Sequence, residues 1–294
     1  MKSLTIDELI ARRAAADIRA TKPRRRKPKP VRPPRTVELE YYRAIRRLLD
    51  EAGESVASAM PGILLEVEMS NQQRASRRTD GLAELGQRLS ELRQRIASTF
   101  TLDALAQIAA SVTGRVNARN LGGVTSQMES LGVDLSAALG REPWLQDQMT
   151  SFTRQNVGLI QDLATETASR VEKVIWQGTT GGLRVEEIAR QVRLAMDTSK
   201  TRAAFIARDQ VAKFNGQLTR ERHIDAGLNE YEWSTSQDAR VRHRHAQLHG
   251  TIQKWTKPPI VASGKGGPRR AHPGEDYGCR CAAIPKLPKH LEDA

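Results

Sequence analysis

From Val37 to about Asp197, apolar residues recur at steps of three and four, the period that gathers them on one side of an α-helix. The clearest run spans about Leu145 to Gln177. There Ile160, Leu163, Ala164, Thr167, Val171 and Val174 make one stripe along roughly 45 Å of helix, at 1.5 Å per residue. After the breaker GTTGG, a second helix is expected in LRVEEIARQVRLAM, with Val185, Ile188, Ala189 and Val192 on one side. A third is expected in KTRAAFIARDQVAKFNGQLTRERHIDAG, turning Ala203, Ile206, Ala207, Val211 and Phe214 inward and ending near Gly227. Further breaks are expected at EAGES, LGG (121–123) and ALGREPW. These stripes read as core, not as sites.

The pattern changes at Tyr231. YEW alternates like a strand, DARVRHRHAQLHG reads as a short helix closed by Gly250, and TIQKW reads as another strand. A Gly/Pro/Lys/Arg loop over 257–271 then leads to HPGEDYGCRCAAIP, whose cysteines open a final strand. At the other end, Leu4, Ile6, Leu9, Ile10 and Ala14 share a face of a short helix over residues 3–20, a hook for a partner. Five prolines between Pro23 and Pro34 remove backbone donors and make residues 21–36 an extended, solvated linker. The expected fold is mainly α, a long helical N-terminal and middle region with a small C-terminal α+β domain. Its expected parts are the hook (1–20), the linker (21–36), a helical region (37–144), a helical lead-in (145–230), the α+β unit (231–285) and a tail (286–294).

Composition supports helices over a single dense globule, because apolar residues make up 38% of the chain and aromatics only 4%. No stretch reads as the roughly 20 apolar residues of a membrane helix, and the first 20 residues lack an apolar signal core, so a soluble protein without a membrane anchor is expected. Two cysteines in 294 residues are no disulfide framework, and a C-x-C pair bridges only under strain.

Net charge is +13, and its location decides its meaning. Residues 21–35 hold eight Lys or Arg and no acid, and so do residues 240–273; without these two runs the chain stands at −3. An acid-free basic run suits the DNA backbone, so Lys22, Arg24, Arg25, Arg26, Lys27, Lys29, Arg32, Arg35, Lys265, Arg269 and Arg270 are candidate contacts to double-stranded DNA, independent of base sequence.

If CRCAA is a strand, Cys279 and Cys281 share a face and Arg280 points away. Adding His245 from the helix and His272 from the loop gives four ligands of the kind zinc takes, or else a metal-free cluster of buried thiols and polar groups. The spacing is not that of a zinc finger. His245 and His249 also stand four apart on one helical face, while His223 and His243 read as surface residues.

The stretches WSTSQDARVRHRHAQLHG (Trp233 to Gly250) and HPGEDYGCRC (His272 to Cys281) resemble the phage Mu F-like minor head, or head morphogenesis, protein family. Trp233, Asp238, Arg240, Arg242, His245, Gly250, His272, Pro273, Cys279 and Cys281 match its pattern, and RAAFIARDQVAKFN (202–215) resembles its lead-in, a coverage of about 145–285. His249 departs from it, since an acidic residue usually precedes that glycine. The resemblance implies a non-enzymatic minor component of a tailed-phage head, inside the virion and in the host cytoplasm during assembly. It also implies contact with the portal, with other head or scaffold proteins, and with DNA being packaged or delivered. Trp233, Asp238, Arg240, Arg242, His245, His272, Cys279 and Cys281 would be its structural cluster. The alternative from another class is a metal-dependent nuclease using His245 as base, with Asp238, Glu275 and Asp276 as the nearby acids. A host DNA-binding regulator is less favoured, because no helix-turn-helix or base-reading pattern is evident.

Overall fold

Among the described residues the apolar periodicity becomes five long helices, α1 (Arg35–Ala75), α2 (Gly81–Thr99), α3 (Leu102–Leu131), α4 (Leu145–Thr180) and α5 (Val185–Asp225). The structure, a computed structural model, describes residues 27–75, 81–132, 142–264 and 266–288. The expected hook, the basic residues before Lys27 and most of the tail lie outside the described residues. As expected, the fold is mainly α with a small α+β part at the C-terminal end.

Two compact units are present. Of the described residues, those within Leu39–Ser111 and Thr153–Ala207 form the helical unit, and those within Met1–Glu38, Val112–Phe152 and Arg208–Ala294 form the mixed unit. In the helical unit Tyr41, Ile45, Leu49, Ala52 and Val56 form the buried face of α1, and Leu85, Leu89, Leu92 and Ile96 that of α2. Of the stripe expected on α4, Val174 is only half-buried, and Ile175 takes its place inside.

Several expected breaks are absent. EAGES stays helical inside α1 and LGG inside α3; of their glycines, Gly123 serves close approach, since a Cβ there would meet Val31 at 2.9 Å, while one on Gly53 would make only ordinary contact with Met196 at 3.6 Å. The two helices expected on either side of Asp197 are one, α5. Its polar middle keeps helical form as Thr198, Ser199 and Thr201 donate to the carbonyls of Leu194, Ala195 and Asp197, one turn back. GTTGG does end a helix. Gly182 has φ +70, Leu183 N donates to Gly178 O and Gly182 N to Thr179 O, a Schellman cap. α5 ends the same way at Gly227. One amendment concerns apolar length: within Leu82–Leu131 a helical stretch is long and apolar enough to cross a membrane by composition, although Leu105, Ala109, Val112 and Val116 in it are buried inside the protein.

The described part of the basic linker, residues 27–34, forms neither helix nor strand, as its prolines favour, but it is not a solvated spacer. Residues 27–34 lie against the mixed unit as a strap. Val31 joins Val124, Met128, Ala226 and Leu228 in a buried cluster, and Pro28 is buried. Gln127 donates to Lys29 O (2.9 Å) and Asn215 to Val31 O (3.1 Å).

The rest of the mixed unit holds strand β1 (Glu230–Ser234), short helix α6 (His243–Leu248), β2 (Ile252–Lys254), β3 (Ile260–Gly264), β4 (Gly267–Arg270) and β5 (Ala282–Lys286). β1 is the centre of an antiparallel sheet in the order β2-β1-β5, which leaves Pro285 on an edge strand where a missing N–H is tolerated. Three expectations change here. The helix begins at His243 rather than near Asp238, the basic loop contains the β3–β4 hairpin, and both cysteines precede the last strand instead of lying in it. Tyr231 and Trp233, two apart on β1, point into a cluster with Trp255, Val261, Ala271, Cys279, Cys281 and Ala283.

Candidate metal centre

α6 and the chain ahead of β5 bring three soft ligands together. His245 Nδ1 is 3.5 Å from Cys279 Sγ and 3.5 Å from Cys281 Sγ, and all three ligand atoms lie within 4.8 Å of one another. A tetrahedral zinc with bonds of about 2.3 Å to sulfur and 2.0–2.1 Å to nitrogen needs a nitrogen–sulfur separation of about 3.6 Å, so the residues fit such an ion. All three side chains are buried, and both thiols are free. Cys281 N donates toward Cys279 Sγ at 3.4 Å, while Arg280 turns the other way to pair with Asp238 at 2.8 Å. The ring of Trp233 stands edge-on to His245, with centroids 5.6 Å apart, and closes one wall.

The opposite nitrogen of His245 faces a carboxylate, Nε2 to Asp276 Oδ2 at 3.1 Å, an arrangement that holds the ring with Nδ1 toward the thiols. Asp276 is fully buried and takes two guanidinium groups, Arg242 at 2.7 Å and Arg269 at 2.8 Å. Burial alone would raise its pKa, but its hydrogen bonds to Arg269 and the Tyr277 amide, with the charge of Arg242, hold it below the usual carboxylate range. The hydrogen bond from Cys281, aided by His245, draws Cys279 down to about 5, and the resulting thiolate with burial pushes Cys281 up. For His245 burial works downward, but Cys279 and Asp276 outweigh it and raise its pKa.

The loop carrying these groups is seated by two facing glycines. A Cβ on Gly216 of α5 would come within 2.6 Å of Pro273 O, and Gly274, at φ +90, lies so close to Ala212 O that a Cβ there would meet it at 2.8 Å. Gly278 N donates to the buried carboxylate of Asp209 at 2.6 Å, fixing the turn just before Cys279.

His272, expected as the fourth ligand, is outside the group. Its Nδ1 meets Tyr231 OH at 2.9 Å and its ring packs near Trp255, so it builds core instead. Asp238 accepts Arg240 N and pairs with Arg280, and Arg242 goes to Asp276. His249, at the C-cap of α6, uses Nδ1 to accept Thr235 N at 3.2 Å. His223, read as a surface residue, is fully buried, with Nε2 against Gln127 Oε1 at 3.1 Å. Of the expected DNA contacts, Lys27 pairs with Glu232, Arg32 donates to Thr235 O, Arg269 serves Asp276 and Arg270 donates to Pro258 O. Lys29 and Arg35 are exposed; Lys22, Arg24, Arg25, Arg26 and Lys265 lie outside the described residues. Asp276 as the shared anchor was not foreseen, since nothing in the spacing of GEDYG tells a buried carboxylate from a loop acid.

Fold and site define a helical protein whose last part is a small α+β unit built round a buried His-Cys-Cys group. Residues 169–284 match the family described as Phage Mu protein F like protein, which bears out the resemblance stated above for that stretch. A protein of Haemophilus influenzae (strain ATCC 51907 / DSM 11121 / KW20 / Rd), described only as uncharacterized, is 34% identical over 181 residues, covering 61% of this chain. The chain spans 39% of that relative's length. No solved structure matches.

Proposed function

We propose that the chain is a minor structural protein of a tailed-phage head, not an enzyme, acting in head assembly at the portal and in packaging or delivery of DNA. It assembles in the host cytoplasm with portal and other head proteins and remains inside the virion. Its Mu F-like part is held together by a zinc ion on His245, Cys279 and Cys281, which pins the start of β5 to α6. The observation that carries this reading is the meeting of those three side chains within the stretch that matches the family. An ion bound by the folded site and not by the unfolded chain adds its binding free energy to the stability of that part.

Three protein ligands with one position left over is also the pattern of hydrolytic zinc. A nuclease would need a carboxylate aimed at that position, and the nearby acids are engaged elsewhere: Asp276 with His245, Arg242 and Arg269, Glu275 with His272 N, and Asp238 with Arg280. The structural reading is therefore preferred.

The test uses heads purified from lysates making the wild-type chain or Cys279→Ser/Cys281→Ser. Mass spectrometry should find the wild-type chain in the particles, and zinc should track it at about one ion per chain. The double variant should lose that zinc, and melt lower when purified. Particles without the chain would remove the head assignment. Wild-type chain without zinc would remove the staple.

A further inference from the structure

Beside the metal centre the charges are layered. The carboxylates of Asp276 and Asp209 are buried, at 0% and 5% exposure, while the cations they hold are partly exposed: Arg242 at 45%, Arg269 at 46% and Lys213 at 25%. Solvent thus meets the cations and not the acids that anchor them. Tyr277 stands among them, 58% exposed, with Lys213 Nζ 4.9 Å and Arg269 Cζ 5.5 Å from its ring centre, and with its carbonyl accepting from Arg242. Arg269 is held by one carboxylate, with Nη2 donating to Oδ2 at 3.2 Å and Nε within 2.8 Å of Oδ1, so the guanidinium is positioned before any ligand arrives.

We infer that Arg242, Arg269 and Lys213, gathered round Tyr277 and anchored from within by Asp276 and Asp209, form a binding site for the phosphodiester backbone of double-stranded DNA. The inference rests on the DNA-contact part of the proposed function and gives it a location. An anchored guanidinium loses little freedom on meeting a phosphate, and a point charge on Lys213 adds attraction without base readout. Double-stranded DNA is favoured over a small anion because Arg242 and Arg269 come from the acid-free run 240–273, whose eight Lys or Arg offer charge for more than one phosphate. Asp276 also holds His245, so the phosphate site and the metal centre share one anchor.

The experiment measures binding of the full-length protein to a labelled mixed-sequence duplex by anisotropy, across a salt series. Wild type should bind with an affinity that falls linearly in log salt. Arg242→Gln/Arg269→Gln should flatten that slope by about 1.8, two phosphates at roughly 0.9 each, and weaken binding about tenfold or more. Because that variant leaves a buried carboxylate without its two guanidinium partners, Arg242→Gln/Arg269→Gln/Asp276→Asn is measured beside it and should show the same flattening with its helicity intact. Arg46→Gln/Arg95→Gln, two arginines of the helical unit, is the reference for simple loss of charge and should change the slope by less than half as much. If wild type binds but the two site variants keep its slope, or lose no more than the reference, this site is wrong while DNA contact stands. If wild type does not bind the duplex at all, both fall.

Discussion

Both units bury polar side chains, but they use them differently. In the helical unit buried hydroxyls close largely on their own helix, as Thr167 does on Leu163 O, Thr179 on Ile175 O and Ser199 on Ala195 O, with short links between helices at Thr167–Ser199 and Tyr41–Asn156, and apolar stripes make up most of the core. In the mixed unit buried amides and charges reach across the chain. Gln127 ties Lys29 O to Ala283 O and meets His223, Asn215 holds Val31 O across 184 positions, and Arg222 gathers Glu142, Asn117 and Asn120. A stripe can lose a methyl group and partly repack. A network that satisfies each member by another cannot lose one without leaving a buried group unpaired.

The largest expected effect is therefore at Arg222, whose side chain is fully buried against Glu142 at 2.6 Å, itself 7% exposed. Arg222→Met should cost about 3–5 kcal/mol in urea unfolding, because it leaves a carboxylate and two amide oxygens without a donor. Ile160→Val on the buried face of α4 should cost only about 0.5–1.5 kcal/mol. Adding Glu142→Gln to Arg222→Met should recover a good part of the loss by removing the stranded charge. Equal losses at 222 and 160 would erase the distinction between the units.

Next in size is an acid effect at His223. Burial holds its pKa down at about 3, below the ordinary 6.5. Between those values the unfolded chain binds a proton that the folded chain refuses. Stability is therefore complete above about pH 6.5 and declines as pH falls toward 3, by on the order of 4 kcal/mol at about 1.4 kcal/mol per unit. His223→Gln keeps a donor for Gln127 Oε1 and has nothing to titrate. The difference between wild-type and variant unfolding free energies should slope over pH 3–6.5 and be flat above it; a difference flat throughout would mean His223 is not held neutral.

The same contrast explains what could be read in the chain. Helices of the helical unit follow from period alone: Ile160, Leu163 and Val171 were placed inside by spacing and are buried. Ligand chemistry singled out His245, Cys279 and Cys281, although the strand alternation used to pair the thiols does not apply, since both precede β5. What escaped was long-range and polar. A histidine such as His223 looks the same on a surface as in a network 96 residues wide, and the proline-rich strap gave no sign that Gln127 and Asn215 were waiting for its carbonyls. Glycines misled for a related reason. Gly123 looks like a breaker until Val31, the neighbour that needs its bareness, is known.

The smallest effect separates two adjacent glycines of α3. Gly122 has nothing within 4 Å of a would-be Cβ, so Gly122→Ala should gain about 0.5–1 kcal/mol from helix propensity alone. At Gly123 the same methyl group meets Val31 Cγ1 at 2.9 Å and Cγ2 at 3.1 Å. Val31 cannot simply turn aside, because its carbonyl is held by Asn215 and its side chain fills the Val124–Met128–Leu228 cluster. Gly123→Ala should therefore forfeit the propensity gain and loosen the strap. Hydrogen exchange over residues 27–34 should rise several-fold in this variant and stay at the wild-type rate in Gly122→Ala. If both variants gain stability and exchange alike, the strap is only resting on the mixed unit, and the linker expected from the prolines alone would be the better description.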